Sequence, residues 1–317
     1  MGTVISLAVP DTVDPELFET AGQAAFASLR QADEIFSPFL PDSPVSRLRD
    51  GRLRPADLDR HPHGAQITEV LELCATLKAA SRGAFDAWAV GDPPGFDPCG
   101  AVKGWAAERA GALLTGLGVT RHILNAGGDV RLRAGGDTHS RAGGDTHPRA
   151  DGDTHPYAGG DTHPRADGDT HPYAYGARSE AGAQPQPMPW QVGLADPHRP
   201  GCLLAVLTVA DGAVATSGTS ERGSHIWNPA TGRPATALAQ VTVVGPELTL
   251  ADGYATAAMA MADGSPARAH DWLDELAERT GYHALTVDPA GHVRPTAGLI
   301  GLALVLSQPA ARIPERR

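Results

Sequence analysis

Between Arg133 and Tyr173 an eight-residue unit, Arg/Tyr-Ala-Gly/Asp-Gly-Asp-Thr-His-Pro/Ser, recurs with five copies of Gly-Asp-Thr-His, and Gly-, Ala- and Pro-rich sequence continues to Pro189. No other feature limits the possible folds so strongly. The tract has almost no aliphatic side chains to bury, so it cannot offset the cost of ordering its backbone, about 1–2 kcal/mol per residue. It reads as a disordered, solvated insertion that joins two strands of a sheet outside any active site. The folded protein must then be assembled from 1–132 and 190–307, with 133–189 the insertion and 308–317 a tail. The evenly spaced His139, His147, His155, His163 and His171 leave metal capture as the alternative role for the tract.

On either side of it, apolar spacing predicts a strand at Thr3–Val9 and helices near Pro15–Phe36, Ile67–Ser81 and Lys103–Leu117. Strands follow at His122–Asn125 and Val130–Arg133, separated by a Gly-Gly turn. After the tract come a strand at Leu203–Ala210, a Ser/Thr/Gly loop over Ala215–Ser224 and a strand at Ala239–Val244. A helix over Ala267–Thr280 and strands at His283–Val287 and Gly298–Val305 complete the chain. Strands and helices alternate without a steady βαβ rhythm, which predicts a mixed α+β fold, a single domain of two lobes.

Composition removes several classes of function. A net charge of −11 over 317 residues argues against nucleic acid as the main partner, since phosphate binding needs a basic face. No run approaches the 18 apolar residues that a membrane span needs. The first residues lack a charged n-region and no lipobox cysteine occurs, so the expected location is cytoplasmic. Cys74, Cys99 and Cys202 lie far apart and form no CxxC pair, so neither a zinc site nor a disulfide framework is indicated.

The chemistry gathers in short segments. Ala251-Asp252-Gly253-Tyr254-Ala255-Thr256-Ala257 heads a small-residue run ending near Met261. Asp252 and Thr256 are about one helical turn apart, which puts a carboxylate and a hydroxyl on one face near the positive helix end. That set suits a hard cation and the phosphates it carries; a plain N-cap is the alternative for Asp252. Lysine occurs only at 78 and 103, and Lys103 follows a Gly-containing turn as the opening of a helix, a place for phosphate oxygens or for an ordinary solvated lysine. His225, in His225-Ile226-Trp227-Asn228-Pro229, is either a loop histidine or a proton acceptor.

In order and spacing, Met1-Gly2-Thr3, Phe36-Ser37-Pro38-Phe39 with Asp42-Ser43, Gly83-Ala84-Phe85-Asp86, Asp97-Pro98-Cys99-Gly100-Ala101-Val102-Lys103-Gly104, Asn125-Ala126-Gly127-Gly128-Asp129, the His225 segment and the Asp252 segment resemble the ApbE family of FAD:protein FMN transferases. The resemblance implies a Mg²⁺-dependent attack on the FAD pyrophosphate, with FMN passing to a Thr or Ser hydroxyl of an acceptor protein and AMP leaving. It implies FAD contacts at Met1, Phe39, Ala84, Phe85, Asp86, Asp97, Lys103 and Ile226, metal ligands at Asp252, Thr256 and the Gly100 carbonyl, and His225 as the proton-transfer group. Family members usually carry a second His and an Asp where Ser224 and Asn228 stand, and often a Tyr at the Phe39 position. Two alternatives remain open: a Mg²⁺-dependent FAD pyrophosphatase in which water replaces the acceptor, and a non-enzymatic flavin- or metal-binding protein.

Overall fold

A computed structural model describes residues 3–10, 12–135, 189–220, 223–300 and 305–306. In chain order the elements are β1 (Ile5–Ala8), α1 (Pro15–Phe36), α2 (Pro44–Arg49), a 3₁₀ turn (Pro55–Arg60), α3 (Gly64–Ala80), α4 (Cys99–Gly116), β2 (Arg121–Ala126), β3 (Asp129–Ala134), β4 (Trp190–Ala195), β5 (Leu203–Val209), β6 (Gly212–Gly218), β7 (Trp227–Asn228), β8 (Arg233–Pro234), β9 (Gln240–Gly245), α5 (Leu248–Ala262), α6 (Pro266–Thr280), β10 (His283–Val287), β11 (Val293–Pro295), α7 (Ala297–Ile300) and β12 (Val305–Leu306). The chain divides into two units: Met1–Gly136 with Pro187–Arg317, which carries every one of these elements, and Asp137–Gln186, which lies outside the described residues.

The architecture is mixed α+β. Seven strands form one sheet in the order β1-β2-β3-β6-β9-β10-β11, and β12-β5-β4 form a second. Every pairing in the large sheet is antiparallel. Its central strands are buried on both faces, and period-2 alternation divides their side chains between two cores. Ala213, Ala215, Val241 and Val243 join the core beneath the helices. Val130, Leu132, Val214 and Val244 pack instead with Val192, Leu194, Leu207 and Val209 of the small sheet.

Helix α5 occupies the middle of the helical side. Twelve of its 15 residues are buried, and most are Ala, Gly or Met. Small side chains let neighbours approach closely: a Cβ on Gly253 would stand 2.4 Å from the Leu77 side chain of α3. The β2–β3 hairpin turns through Gly127 and Gly128, both at positive φ (62° and 96°), as a two-residue turn of the right hand requires. This tight turn sets Asp129 at the first position of β3, against the helices.

Three expectations change. The tract's flanks belong to different sheets, β3 to the large one and β4 to the small one, so they do not pair; the alternating exposure of β4 marks a strand with one solvated face. The ends of the tract are nevertheless held together, because the Trp190 indole N–H donates to the Arg133 carbonyl at 3.1 Å. From residue 136 on, the repeat and its five histidines lie outside the described residues. The first four residues of the expected Ser/Thr/Gly loop, Ala215–Gly218, are the end of strand β6, whose Ala213 and Ala215 pack beneath the helices, so a composition that resembles a loop is here in part a packing requirement. The expected strand at Gly298–Val305 begins as α7; a Cβ on Gly298 would meet the His283 ring at 2.1 Å, and a short apolar run does not separate strand from helix.

Candidate functional site

Helices α4 and α5 cross closely because two glycines of α4 face α5. A Cβ on Gly104 would stand 2.5 Å from the Leu248 carbonyl oxygen and 2.7 Å from the Asp252 Cβ. One on Gly100 would stand 2.9 Å from the Thr256 Cγ2 and 3.2 Å from the Phe85 ring. At this contact the Gly104 N–H donates to the Asp252 Oδ2 at 2.8 Å, and the Thr256 hydroxyl donates to the Gly100 carbonyl at 3.4 Å. A carbonyl oxygen, a hydroxyl and a carboxylate thus come to one wall of a cavity.

That cavity has a volume of about 830 Å³. Phe39, Ala84, Phe85, Asp86, Asp97, Gly100, Lys103, His225, Ile226, Asp252 and Thr256 all line it. Met1 lies outside the described residues. Phe39 is 88% exposed at the rim, whereas Phe85 and Ile226 are buried in the wall. Asp86 is held by Lys78 at 2.7 Å and accepts from the Trp88 N–H, and Asp97 accepts from the Cys99 N–H at 2.9 Å where α4 starts.

Two local expectations are corrected. Asp252 does not head its helix: α5 starts at Leu248, so Asp252 sits one turn inside, buried, and neither caps the helix nor faces its positive end. Lys103 does not open α4, which starts at Cys99. The extra turn has the same cause in both cases. Small or apolar residues, Leu248–Ala251 and Cys99–Val102, extend each helix backwards with no capping residue to stop it.

Lys103 lies between two acids. Its ammonium contacts the carboxylate of Asp129 and stands 3.5 Å from the Asp252 Oδ1. Asp129 is fully buried and also accepts from the Thr216 N–H at 2.9 Å. Burial pushes its pKa up to about 7, the nearby Asp252 charge adds to the rise, and Lys103 opposes it. In the sequence Asp129 ends a Gly-Gly turn within a segment that carries the family resemblance, but that segment assigns it no role; pairing β3 with β6 brings it to the site. Thr216 and Ser217 of β6 also line the cavity, and the Ser217 hydroxyl stands 3.3 Å from that of Thr256.

His225 is exposed on the cavity wall, and its Nδ1 lies 3.0 Å from the Gly223 carbonyl. A carbonyl only accepts, so this contact puts the proton on Nδ1 and leaves the Nε2 lone pair open. Asn228 does not line the cavity. It is buried, donates to the Asp263 carboxylate at 3.2 Å and accepts from the Ala230 N–H, a pairing with Asp263 that an ionised Asp could not make. Ser224 is exposed and does not line the cavity either.

The donors suit a hard cation. Gly100, Thr256 and Asp252 offer only oxygen, with Ser217 adjacent, and the trio of Asp129, Asp252 and Lys103 carries surplus negative charge when both acids are ionised. Among the described residues no group of three or more His, Cys, Asp or Glu is gathered as a cage. Mg²⁺ characteristically takes one or two carboxylates and leaves its other positions to water and substrate phosphates. No helix among the described residues is long and apolar enough to cross a membrane.

The model of the ApbE family matches residues 1–92 and 173–286. A FAD:protein FMN transferase from Treponema pallidum (strain Nichols) is 35% identical over 134 residues, which are 39% of this chain and 35% of that protein. The chain therefore matches about a third of the length of this curated relative. Among solved structures, the ApbE protein of Thermotoga maritima superposes with a TM-score of 0.60 at 19% identity, covering 95% of this chain and 94% of that one. The flavin transferase ApbE of Vibrio cholerae gives 0.60 at 17%, covering 95% and 96%, and the flavinyl transferase ApbE of Pseudomonas stutzeri gives 0.60 at 18%, covering 95% and 97%. At these identities the likeness is one of fold.

Proposed function

Since this chain belongs to the ApbE family, we propose that it is a FAD:protein FMN transferase that moves FMN from FAD to a Thr or Ser hydroxyl of an acceptor protein. The observation that carries the reading is the single cavity on which the aromatic, carboxylate, lysine, carbonyl and hydroxyl groups converge. Residues 1–132 and 190–307 form the transferase domain, and 133–189 are an insertion in it.

Phe39, Ala84, Phe85 and Ile226 offer the apolar surface that a flavin ring needs, and Asp86 and Asp97 the polar rim. Asp252, Thr256 and the Gly100 carbonyl would hold Mg²⁺, which when bound would supply charge neutralisation at the pyrophosphate. Lys103, steadied by Asp129, meets the phosphate oxygens. In the reaction the acceptor hydroxyl oxygen bonds to the FMN phosphorus, the bridging P–O bond breaks, and AMP leaves with the bridging oxygen. The hydroxyl proton passes to the open Nε2 of His225 and from there to solvent. The protein's part is alignment and charge, which phosphoryl transfer chiefly requires.

The test is mass spectrometry of a candidate acceptor incubated with the full chain, FAD and Mg²⁺. The expected result is a mass gain equal to one FMN on a Thr or Ser, with one AMP released per acceptor modified. AMP released continuously with no acceptor present identifies the pyrophosphatase instead, and no AMP under either condition refutes both enzymatic readings.

A further inference from the structure

Helices α4 and α5 run antiparallel and are joined by polar contacts at three successive turns. On α4 these lie at positions 100, 104 and 108, and on α5 at 256, 252 and 248. The Gly100 carbonyl receives the Thr256 hydroxyl at 3.4 Å, the Gly104 N–H meets the Asp252 Oδ2 at 2.8 Å, and the Leu248 N–H meets the Glu108 Oε2 at 2.7 Å. The first two contacts are in the cavity wall. The third is one turn further on, and Glu108 does not line the cavity.

Glu108 does what the local sequence of α5 leaves undone. The residue before the helix, Glu247, makes no side-chain cap, so the α5 N-terminus has a bare first N–H that a carboxylate from α4 satisfies. The other oxygen of Glu108 is fixed by Arg131 of β3, at 2.8 Å from its Nε. Arg131 is itself almost wholly buried and donates to the Gly212 carbonyl of β6. The carboxylate is therefore tied to the sheet on one side and to the start of α5 on the other.

We propose that Glu108 is a positioning residue for the phosphate and metal site: by holding the first N–H of α5 it fixes the register in which Asp252 and Thr256 meet Gly104 and Gly100. This rests on the transferase reading above. Without Glu108, α5 can shift along α4. The two glycines offer no side chain to resist a slide, and the oxygens that bind the cation lose their common focus.

The test compares the wild-type chain with Glu108→Ala, Glu108→Gln and Leu276→Ala. The last removes buried packing from α6 away from the α4–α5 contact and controls for lost stability. Binding of Mn²⁺ as a stand-in for Mg²⁺ is measured by the electron paramagnetic resonance signal of the free ion, alongside the Mg²⁺ concentration for half-maximal AMP release from FAD in the presence of the acceptor protein. Glu108→Ala is expected to weaken Mn²⁺ binding about tenfold, equivalent to about 1.4 kcal/mol, and to raise the Mg²⁺ midpoint in parallel. Glu108→Gln keeps an oxygen for the Leu248 N–H and stays within about twofold of wild type. Leu276→Ala melts earlier with unchanged Mn²⁺ affinity. If the alanine variant does not fold, Glu108→Thr, too short to reach Leu248, replaces it in the same comparison. Unchanged Mn²⁺ affinity in the folded short variant overturns the proposal, as does an equal loss in Glu108→Gln or in Leu276→Ala. A wild-type chain that binds no Mn²⁺ and needs no Mg²⁺ overturns the metal reading itself, and this inference with it.

Discussion

The closeness of α4 and α5 at Gly104 allows a quantitative test of how the site is built. In Gly104→Ala the new Cβ would lie 2.5 Å from the Leu248 carbonyl oxygen and 2.7 Å from the Asp252 Cβ. Both obstacles are backbone or near-backbone atoms of a buried helix, so no flexible side chain can yield. Non-bonded carbons rest about 3.5–4.0 Å apart, so the helices must part by about 1 Å. Overpacking of this kind costs about 1–3 kcal/mol, and replacing a helical Gly by Ala returns about 1 kcal/mol, leaving a net loss of about 0–2 kcal/mol. For a domain of this size that lowers Tm by no more than about 8 °C. The effect on chemistry is larger, because a displacement of about 1 Å at a reacting centre costs about 100-fold in rate. Gly104→Ala should therefore remain folded yet lose about two orders of magnitude in Mg²⁺-dependent AMP release from FAD. Gly116→Ala, on the same helix with nothing within 4 Å of its new Cβ, should keep full activity. Wild-type activity in a folded Gly104→Ala would refute the claim that the site depends on this helix contact.

Asp252→Asn should lower AMP release at ordinary Mg²⁺ by about 100-fold or more, because it removes the carboxylate while its amide oxygen can still accept from the Gly104 N–H; undiminished release would remove Asp252 from the metal site. Thr256→Val should act in the same direction by about tenfold, since water can replace a neutral ligand, and this is read as the rate regained at raised Mg²⁺. Asp129 has a folded-state pKa of about 7, raised by burial, against an ordinary value of about 3.9. Its contribution to stability is therefore complete below about pH 4 and lost as pH rises towards 7, so Asp129→Asn should flatten the fall in urea midpoint across that window; an unchanged slope counts against the raised pKa. Replacing 136–188 with a short Gly-Ser linker should leave Tm and AMP release within error of wild type, because Trp190 already meets Arg133 beside the junction. Loss of folding on that deletion would show that the tract is a structural element.

Much of the cavity wall could be read directly from the chain. Lys103, His225 and Asp252 stand in short segments whose residue types already suggest a chemistry, the family resemblance adds Phe39, Asp86 and Asp97, and a contiguous segment survives folding as a unit. Helix ends were less legible. The sequence places Asp252 at a helix start because it heads a small-residue run, and Lys103 because it follows a Gly-containing turn, yet each lies a full turn inside. The second half of strand β6 reads as a loop because Thr216, Ser217 and Gly218 favour turns in isolation. In the sheet, Ala213 and Ala215 lie in the core beneath the helices with Ser217 against Thr256 of α5, Thr216 meets Thr242, and a Cβ on Gly218 would meet the Ala239 carbonyl; these tertiary demands outweigh the local preference.

Long-range register was not legible at all. Gly100, Gly104 and Glu108 are evenly spaced in one segment, and Leu248, Asp252 and Thr256 in another, but nothing in either says that the two series run opposite ways and meet turn for turn. The joining contacts span 156, 148 and 140 residues of sequence. Asp129 and Arg131 likewise enter the arrangement only through the pairing of β3 with β6. The residue types that do chemistry can be recognised one segment at a time. The residues that hold those segments in register, Glu108 and Arg131 among them, look in the sequence like ordinary charges on a helix and a strand. Their role follows from burial and from the helix end they satisfy, and both come into being only when the chain folds.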